Sequence, residues 1–242
     1  MENETIGTSP LRSLALPRET EPMQDKQMLF AALRAQVQRL SPLPANTLLF
    51  GVSQEDRKPV LFDMAEPDGG AILVRGEKGS GKTTLLQTIA WNAAEMYRSQ
   101  QLQFVVATPA YLEWLDFQEL PACGGVFSTE SNRFERLVDA LGGWMYRFDK
   151  RQTLLLLIDG IGSLNRMGSR TRMLLDRVLA YGPYSNIWTV ATADPDDLDH
   201  DAAWPDLFAW YIHSASKHCS PTFDHEFSVR TNDGFCRFSI LF

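Results

Sequence analysis

Short apolar runs alternate along the chain with stretches in which apolar residues recur at helical spacing. Runs of mostly apolar side chains occupy residues 71–74, 103–108, 153–158 and 186–192. Such runs are typical of parallel strands that are buried on both faces of a sheet. Residues 84–93 and 134–148 carry apolar side chains every three or four positions, which predicts amphipathic helices. This alternation predicts an α/β fold with a mainly parallel sheet flanked by helices.

Further short strands are predicted on both sides of this central alternation. One pair occupies residues 47–51 and 59–63, and three more strands are predicted at residues 208–212, 226–230 and 235–241. The sequence Asn232-Asp233-Gly234 separates the last two strands. Because an Asx-Gly pair between two strand-like runs is a strong hairpin signal, we expect an antiparallel C-terminal hairpin at the edge of the sheet.

The first 43 residues differ in pattern from the rest of the chain. Residues 1–19 are polar and show no periodicity, which predicts a flexible N-terminal tail. Residues 20–43 predict a helix followed by a linker, because Pro22 stands near the helix start and an apolar stripe follows at helical spacing. That stripe fits packing on the domain's own core or on a neighbouring subunit. Residues 44–242 then form the predicted main domain.

A glycine-rich loop, GEKGSGKT, joins the first apolar run of this domain to its first helix. A strand, the pattern G-x-x-x-x-G-K-[ST] and a helix together predict a phosphate-binding loop rather than a turn that merely resembles one. We expect Lys82 to reach the β- and γ-phosphates of a nucleotide and Thr83 to bind Mg²⁺. The candidate nucleotide-binding residues are Gly76, Glu77, Lys78, Gly79, Ser80, Gly81, Lys82, Thr83 and Thr84.

An aspartate directly follows the most apolar run of the chain, Leu154 to Ile158. A carboxylate at the end of a buried strand lies where open α/β sheets bind their ligands. In phosphate-loop proteins this position helps to hold Mg²⁺. We therefore take Asp159, with Thr83, as a candidate Mg²⁺ residue and, with Lys82, as a candidate catalytic residue.

Two further groups of residues are weaker candidates. Arg166, Arg170 and Arg172 follow the Asp159 strand and either supply an arginine finger to a neighbouring site or form a solvated basic segment. Thr192 ends the apolar run at 186–192, and Asp194 follows two residues later. Both side chains approach the γ-phosphate if the strand at 186–192 lies beside the strand that ends at Asp159.

Composition and charge narrow the classes of protein. The chain has 242 residues, a formal net charge of −7 and no overall basic signature for nucleic acid. No apolar stretch approaches the length of a membrane span, and the polar N-terminus is unlike a secretory signal. Three widely spaced cysteines suit reduced thiols, so we expect a cytoplasmic protein. Cys123 is either a reactive thiol or a buried bystander, and the lack of a flanking basic residue favours the second.

Several segments in their order along the chain resemble a known family. They read FGVSQEDRKPVLFDM, ILVRGEKGSGKTTLLQTIA, LLLLIDGIGSL and WTVATAD. From Pro44 onward the chain resembles the FtsK/SpoIIIE-type ATPase domains, especially the tandem domains of type VII secretion motors. The resemblance implies a RecA/ASCE-like P-loop NTPase fold that binds ATP and Mg²⁺. It also implies that Asp194 occupies the polar sensor position, and it is the only indication of DNA as a partner.

The sequence departs from that family's pattern at three places, one of which is the end of the second strand, where Thr108 and Pro109 replace an acidic residue. An active member typically carries a glutamate directly after the Mg²⁺-side aspartate, where this chain has Gly160. The sensor position, usually an amide, is Asp194, followed by Pro195. Loss of a positioned general base typically lowers a rate by about 10²–10⁴-fold. We therefore expect nucleotide binding to survive and fast hydrolysis to be lost.

Three functions are compatible with these observations. The first is an ATP-binding, weakly hydrolysing or regulatory subunit of a secretion or translocation assembly, with a protein partner or further copies of itself. The second is an active ring-forming motor that translocates DNA or polypeptide, in which one of the three arginines completes a neighbour's site. The third is a small-molecule kinase, for which residues 165–172 are the only hint of a lid.

Overall fold

The computed structural model describes residues 47–56, 58–64, 70–146, 152–199, 205–215, 225–231 and 234–240. The predicted N-terminal tail (residues 1–19) and the predicted helix and linker (residues 20–43) lie outside these residues. In the described part, the chain forms one ten-stranded mixed sheet with helices packed on both faces. The predicted α/β class is therefore confirmed.

The described residues contain all the strands and helices predicted after residue 43, together with one further strand at Cys123–Ser128, two further α-helices and several 3-10 helices. The strands are β1 (Thr47–Ser53), β2 (Pro59–Asp63), β3 (Ala71–Arg75), β4 (Leu102–Thr108), β5 (Cys123–Ser128), β6 (Thr153–Ile158), β7 (Ile187–Ala193), β8 (Phe208–Ser214), β9 (Glu226–Thr231) and β10 (Gly234–Ser239). The α-helices are α1 (Lys82–Met96), α2 (Asn132–Trp144), α3 (Ser169–Tyr181) and α4 (Pro195–Asp199). Short 3-10 helices span Tyr111–Glu119, Ile161–Arg166, Gly182–Ser185 and Pro205–Leu207.

The order of the strands decides which chain segments meet at the edge that carries the site. The sheet runs β2-β1-β10-β9-β8-β3-β7-β6-β4-β5. The six strands from β8 to β5 run parallel to one another. Strand β7 therefore lies between β3, which leads into the phosphate loop, and β6, which ends at Asp159. The loops that follow β3, β7 and β6 consequently emerge side by side.

The other end of the sheet is antiparallel. Strands β9 and β10 form the predicted C-terminal hairpin, and their register runs from Gly234 opposite Thr231 to Ser239 opposite Glu226. Strand β9 also pairs antiparallel with β8. The predicted antiparallel hairpin is confirmed, but its expected position at the edge of the sheet is wrong. β1 pairs with the free side of β10 and β2 pairs with β1, so β2 is the outermost strand on this side.

Apolar side chains cover both faces of the parallel strands, as the apolar runs predict. One face packs against α1 and the 3-10 helix at Tyr111–Glu119. The opposite face packs against α2, α3 and the 3-10 helix at Ile161–Arg166. Along β6 the side chains alternate between the two cores, so Leu155 and Leu157 face α1 whereas Leu154, Leu156 and Ile158 face α2 and α3. This double burial holds β6 inside the sheet with Asp159 at its carboxyl end.

Candidate nucleotide-binding site

The loop between β3 and α1 has a backbone that glycine alone adopts without strain at two positions. Gly79 and Gly81 have φ angles of 77° and 89°, in the left-handed region. Gly81 directly precedes the first residue of α1, so the loop leads into the N-terminus of a 15-residue helix. The unpaired N–H groups and the dipole at such an end favour an anion. Glu77, Lys78 and Gly79 are exposed, which leaves the rim of the loop open to a ligand.

Lys82 is buried at the start of α1 and binds three acceptors of the protein itself. Its Nζ lies 2.7 Å from the carbonyl oxygen of Gly76 and 2.7 Å from that of Glu77. It also lies 2.7 Å from Oδ1 of Asp194, whose side chain is 42% exposed while that of Lys82 is 9% exposed. Lys82 and Asp194, separated by more than a hundred residues, therefore form one ion pair inside the loop.

Asp159 is buried and receives hydrogen bonds on both carboxylate oxygens. The Thr83 hydroxyl donates to Oδ1 at 3.0 Å, and the Thr192 hydroxyl lies 3.2 Å from the same atom. The indole Nε1 of Trp114 donates to Oδ2 at 3.0 Å. Because two of these donors come from β7 and from the segment after β4, the position of Asp159 depends on the order of the strands.

These residues fit a nucleotide with Mg²⁺. The loop offers a buried ammonium and a helix N-terminus to phosphate groups, and Thr83 and Asp159 offer a hydroxyl and a carboxylate 3.0 Å apart. Such oxygen donors are the ligands that Mg²⁺ prefers. A side chain at Gly76 would overlap Ser214 Oγ, and one at Gly81 would overlap the ring of His225. Ser214 and His225 therefore pack directly against the backbone of the phosphate loop.

Gly160 has a backbone that disfavours the glutamate expected there in an active member. Its φ is 85°, and its N–H donates to Thr192 Oγ1 at 2.7 Å. A Cβ at this position would meet only Pro109, at 3.8 Å, so space is available. The obstacle is conformational, because a residue with a side chain in the left-handed region loses about 1–2 kcal/mol. The chain thus lacks a carboxylate at this position and has a local backbone shaped for glycine.

Two of the three candidate arginines are exposed, and the third, Arg172, is half-buried. Arg166 ends the 3-10 helix at Ile161–Arg166 and is exposed. The side chain of Arg170 is 82% exposed and lies 3.8 Å from Asp139 of α2. Arg172 binds Asp176, one turn further along α3, at 2.9 Å. A role as arginine finger stays a prediction for these residues, and the exposure of Arg166 and Arg170 suits it best.

Sequence reasoning missed three residues that contact the site. Trp114 lies in the 3-10 helix at Tyr111–Glu119, Ser214 ends β8, and His225 directly precedes β9. Ser214 Oγ lies 2.8 Å from Ser80 Oγ and 3.2 Å from the carbonyl oxygen of Arg75. No local motif marks any of the three, since each reaches the site through strand order. The one weak signal is the indole of Trp114 itself, because the N–H of a buried tryptophan needs a hydrogen-bond acceptor.

The described cysteines behave as thiols rather than thiolates. Burial raises the pKa of the Cys123 thiol above its usual range. The pKa of Cys236 is also raised, first by burial and then by the negative charges of Glu55 and Asp56. A raised pKa lowers the thiolate fraction at neutral pH, so neither residue has the environment of a nucleophile.

The FtsK/SpoIIIE family model matches residues 29–168, more than half of the chain. No curated protein matches the sequence. In the described residues, we find no helix with the length and hydropathy to cross a membrane.

Several solved structures share the fold. ATPases 2 and 3 of Thermomonospora curvata EccC, in complex with a signal sequence peptide, match with a TM-score of 0.67 and 16% identity over 83% of this chain and 44% of that one. The cytoplasmic domain of the same type VII secretion ATPase gives 0.63 and 16% over 84% and 29%. EssC ATPases 2 and 3 from Geobacillus thermodenitrificans give 0.62 and 12% over 83% and 47%. This chain therefore spans less than half of each of these three chains, and identities this low establish the fold alone.

Proposed function

Since this chain belongs to the FtsK/SpoIIIE family, we propose that it binds ATP with Mg²⁺, hydrolyses it slowly at most, and serves as a regulatory subunit of a secretion or translocation assembly. One observation carries the proposal. Lys82, Thr83 and Asp159 converge at one sheet edge, while Gly160 puts no side chain where a water-activating glutamate is expected. The parts that bind phosphate are present, and the part that activates water is missing.

Each residue of the site has a defined task in this proposal. The loop N–H groups and the N-terminus of α1 bind the phosphate chain, and Lys82 turns from its carbonyl partners toward the β- and γ-phosphates. Thr83 and Asp159 hold Mg²⁺, which when bound offsets phosphate charge. Trp114 and Thr192 keep the Asp159 carboxylate in place through their hydrogen bonds. Gly160 leaves the attacking water without a base, which lowers hydrolysis by about 10²–10⁴-fold.

The partner in this proposal is a protein, either a motor subunit or a further copy of this chain, and the site of action is the cytoplasm. Support comes from the similarity to the cytoplasmic domain of EccC, a type VII secretion ATPase, and to ATPases 2 and 3 of EccC and of EssC. The net charge of −7 speaks against a general affinity for nucleic acid. DNA therefore enters only through the family.

An active ring-forming motor is the second candidate function, and the exposure of Arg166 and Arg170 favours it. In that case a neighbouring subunit supplies the catalytic charge that this chain lacks. ATP-dependent oligomerisation, together with hydrolysis stimulated by DNA or a polypeptide and lost in Arg166→Ala, would establish this candidate. A persistent monomer without stimulation would exclude it.

Isothermal titration of Mg·ATP tests the first proposal directly. We expect the wild type to bind ATP and Lys82→Ala to lose about tenfold or more in affinity, because the ammonium is the main cation facing the phosphates. Lys58→Ala is the matched control, since Lys58 is 72% exposed in the β1–β2 turn. A parallel hydrolysis assay should give turnover well below about 1 s⁻¹, the low end of ordinary enzymes. Turnover at or above that value would contradict the proposal, and so would a wild type that binds no nucleotide.

A further inference from the structure

The ion pair between Lys82 and Asp194 follows from the pairing of β3 with β7. The two strands run parallel with Arg75 opposite Ala193, so Gly76 and Asp194 leave the sheet together. The Gly76 N–H donates to the carbonyl oxygen of Ala193 at 3.3 Å, which extends the pairing by one more bond. Asp194 therefore stands beside the first residue of the phosphate loop, on the side that faces β6 and Asp159.

The backbone of Asp194 is fixed by the short helix that follows it. Its backbone N–H donates to Oδ2 of Asp197 at 3.0 Å, and the following Pro195 restricts the chain at the start of α4. Asp197 in turn packs against Gly162, where any side chain would overlap its carboxylate. These contacts fix the backbone at Asp194, and the ion pair with Lys82 orients its carboxylate.

The ion pair leaves Lys82 without a spare donor. An ammonium group has three N–H donors. Those of Lys82 point to Gly76 O, Glu77 O and Asp194 Oδ1, each at 2.7 Å. A diphosphate in the loop can take over a donor from one of the two neutral carbonyls. A terminal phosphate of a triphosphate that binds Lys82 must share it with the Asp194 carboxylate, and two negative charges held by one ammonium group repel each other in a partly buried site.

From this geometry we propose that Asp194 is a specificity-determining residue that makes the site bind nucleoside diphosphates more tightly than nucleoside triphosphates. The inference rests on the proposed nucleotide-binding function and names the phosphate state that this site prefers. A site of this kind discriminates through repulsion of the wrong ligand, since the contacts to the first two phosphates are common to both. At equal concentrations of the two nucleotides, the diphosphate complex then predominates.

The test compares the affinities of Mg·ADP and of Mg²⁺ with a non-hydrolysable ATP analogue by titration calorimetry. We expect the wild type to bind ADP about tenfold or more tightly than the analogue, and Asp194→Asn to remove most of that preference by raising analogue affinity. Asp196→Asn is the matched control, because it removes the same charge from an exposed residue of the helix that follows Asp194 and should leave the preference unchanged. Asp194→Ser is a second variant, which removes the charge should Asn disturb the fold.

The outcomes separate this inference from the function beneath it. Equal affinities of the wild type for the two ligands, or a tighter triphosphate complex, would overturn the inference and leave nucleotide binding intact. An unchanged preference in both Asp194 variants would also overturn it. If neither ligand binds to the wild type or to Asp194→Asn, the proposed nucleotide-binding function itself is overturned.

Discussion

Trp114 is the residue whose effect on the site is least expected from its place in the chain. Its side chain is fully buried in the core beneath α1, and its ring lies 5.1 Å from that of Phe117. The only polar atom of the ring donates to Asp159 Oδ2. One side chain therefore fills the core and fixes the orientation of the carboxylate that we assign to Mg²⁺.

Replacing Trp114 by Phe removes that donor and keeps an aromatic ring in the core. We expect the free energy of unfolding to fall by about 1–3 kcal/mol, because a buried carboxylate oxygen loses its partner. We also expect the Mg²⁺-dependent part of ATP affinity to fall by about tenfold, as for other groups that orient a metal ligand. Urea unfolding and titration at several Mg²⁺ concentrations measure the two effects.

Trp91→Phe is the control for this change, since Trp91 is 42% exposed on α1. Its effect on stability should stay within about 0.5 kcal/mol. If Trp114→Phe keeps the Mg²⁺ dependence of the wild type, Trp114 has only a structural role.

At the scale of elements, the end of β8 forms a wall behind the phosphate loop. β8 is parallel to β3, with Arg75 opposite His213, so Ser214 reaches the first residues of the loop. Ser214 Oγ contacts Ser80 Oγ and leaves no room for a side chain at Gly76. The shape of the loop is thus set from outside by a neighbouring strand as well as by its own glycines.

A double-mutant cycle on Gly76 and Ser214 tests this contact between elements. Gly76→Ala alone should lower stability by about 1–3 kcal/mol, because the new methyl group overlaps Ser214. Ser214→Gly removes the overlapping atoms, so the double variant should recover part of the loss, with a coupling of about 0.5–3 kcal/mol. Thermal unfolding of the four proteins gives the coupling, with Ser214→Gly alone as its control. Strictly additive effects would mean that the two positions do not meet.

For the whole molecule, the sheet is held by two cores of similar character, one on each face. Leu155 and Leu156 are adjacent in β6, both are fully buried, and they belong to opposite cores. Burial of this kind on both sides makes β6 an internal strand and keeps Asp159 at a fixed depth. A nucleotide that binds only the folded protein therefore raises its stability, and a change that unfolds β6 also removes the site.

Truncation on either face should cost a similar amount of stability. We expect Leu155→Ala and Leu156→Ala each to lower the free energy of unfolding by about 2–5 kcal/mol, through lost burial and the cavity left behind. Leu112→Ala, at a side chain that is 78% exposed, is the control and should change it by less than about 0.5 kcal/mol. Urea unfolding measures all three. A loss confined to one face would show that the other core contributes little.

Much of the fold could be predicted from the sequence, because its signals are local. The apolar runs marked the parallel strands, helical spacing marked α1 and α2, and Asn232-Asp233-Gly234 marked the hairpin of β9 and β10. In each case the pattern reflects the side-chain period of one element, which neighbours in sequence suffice to determine. The loop from Gly76 to Thr83 belongs to the same class, since its chemistry is contained in consecutive residues.

The contacts of the site could be predicted only in part. The sequence placed Thr192 and Asp194 near the phosphates on the condition that their strand lies beside the Asp159 strand, and β7 does pair with β6. The ion pair of Asp194 with Lys82 was not foreseen, nor were the roles of Trp114 and Ser214. All of these contacts join residues far apart in the chain, so no local pattern contains them.

The sequence by itself determined that this chain is an α/β protein with a phosphate-binding loop, an aspartate after its most apolar strand, and glycine where a catalytic glutamate is expected. Tertiary structure alone decided that Lys82 is bound by Asp194 and Asp159 by Trp114. The physical reason is that the apolar parallel strands have nearly interchangeable edges. Their order depends on how all the helices pack on both faces at once, and that order puts β7 between β3 and β6.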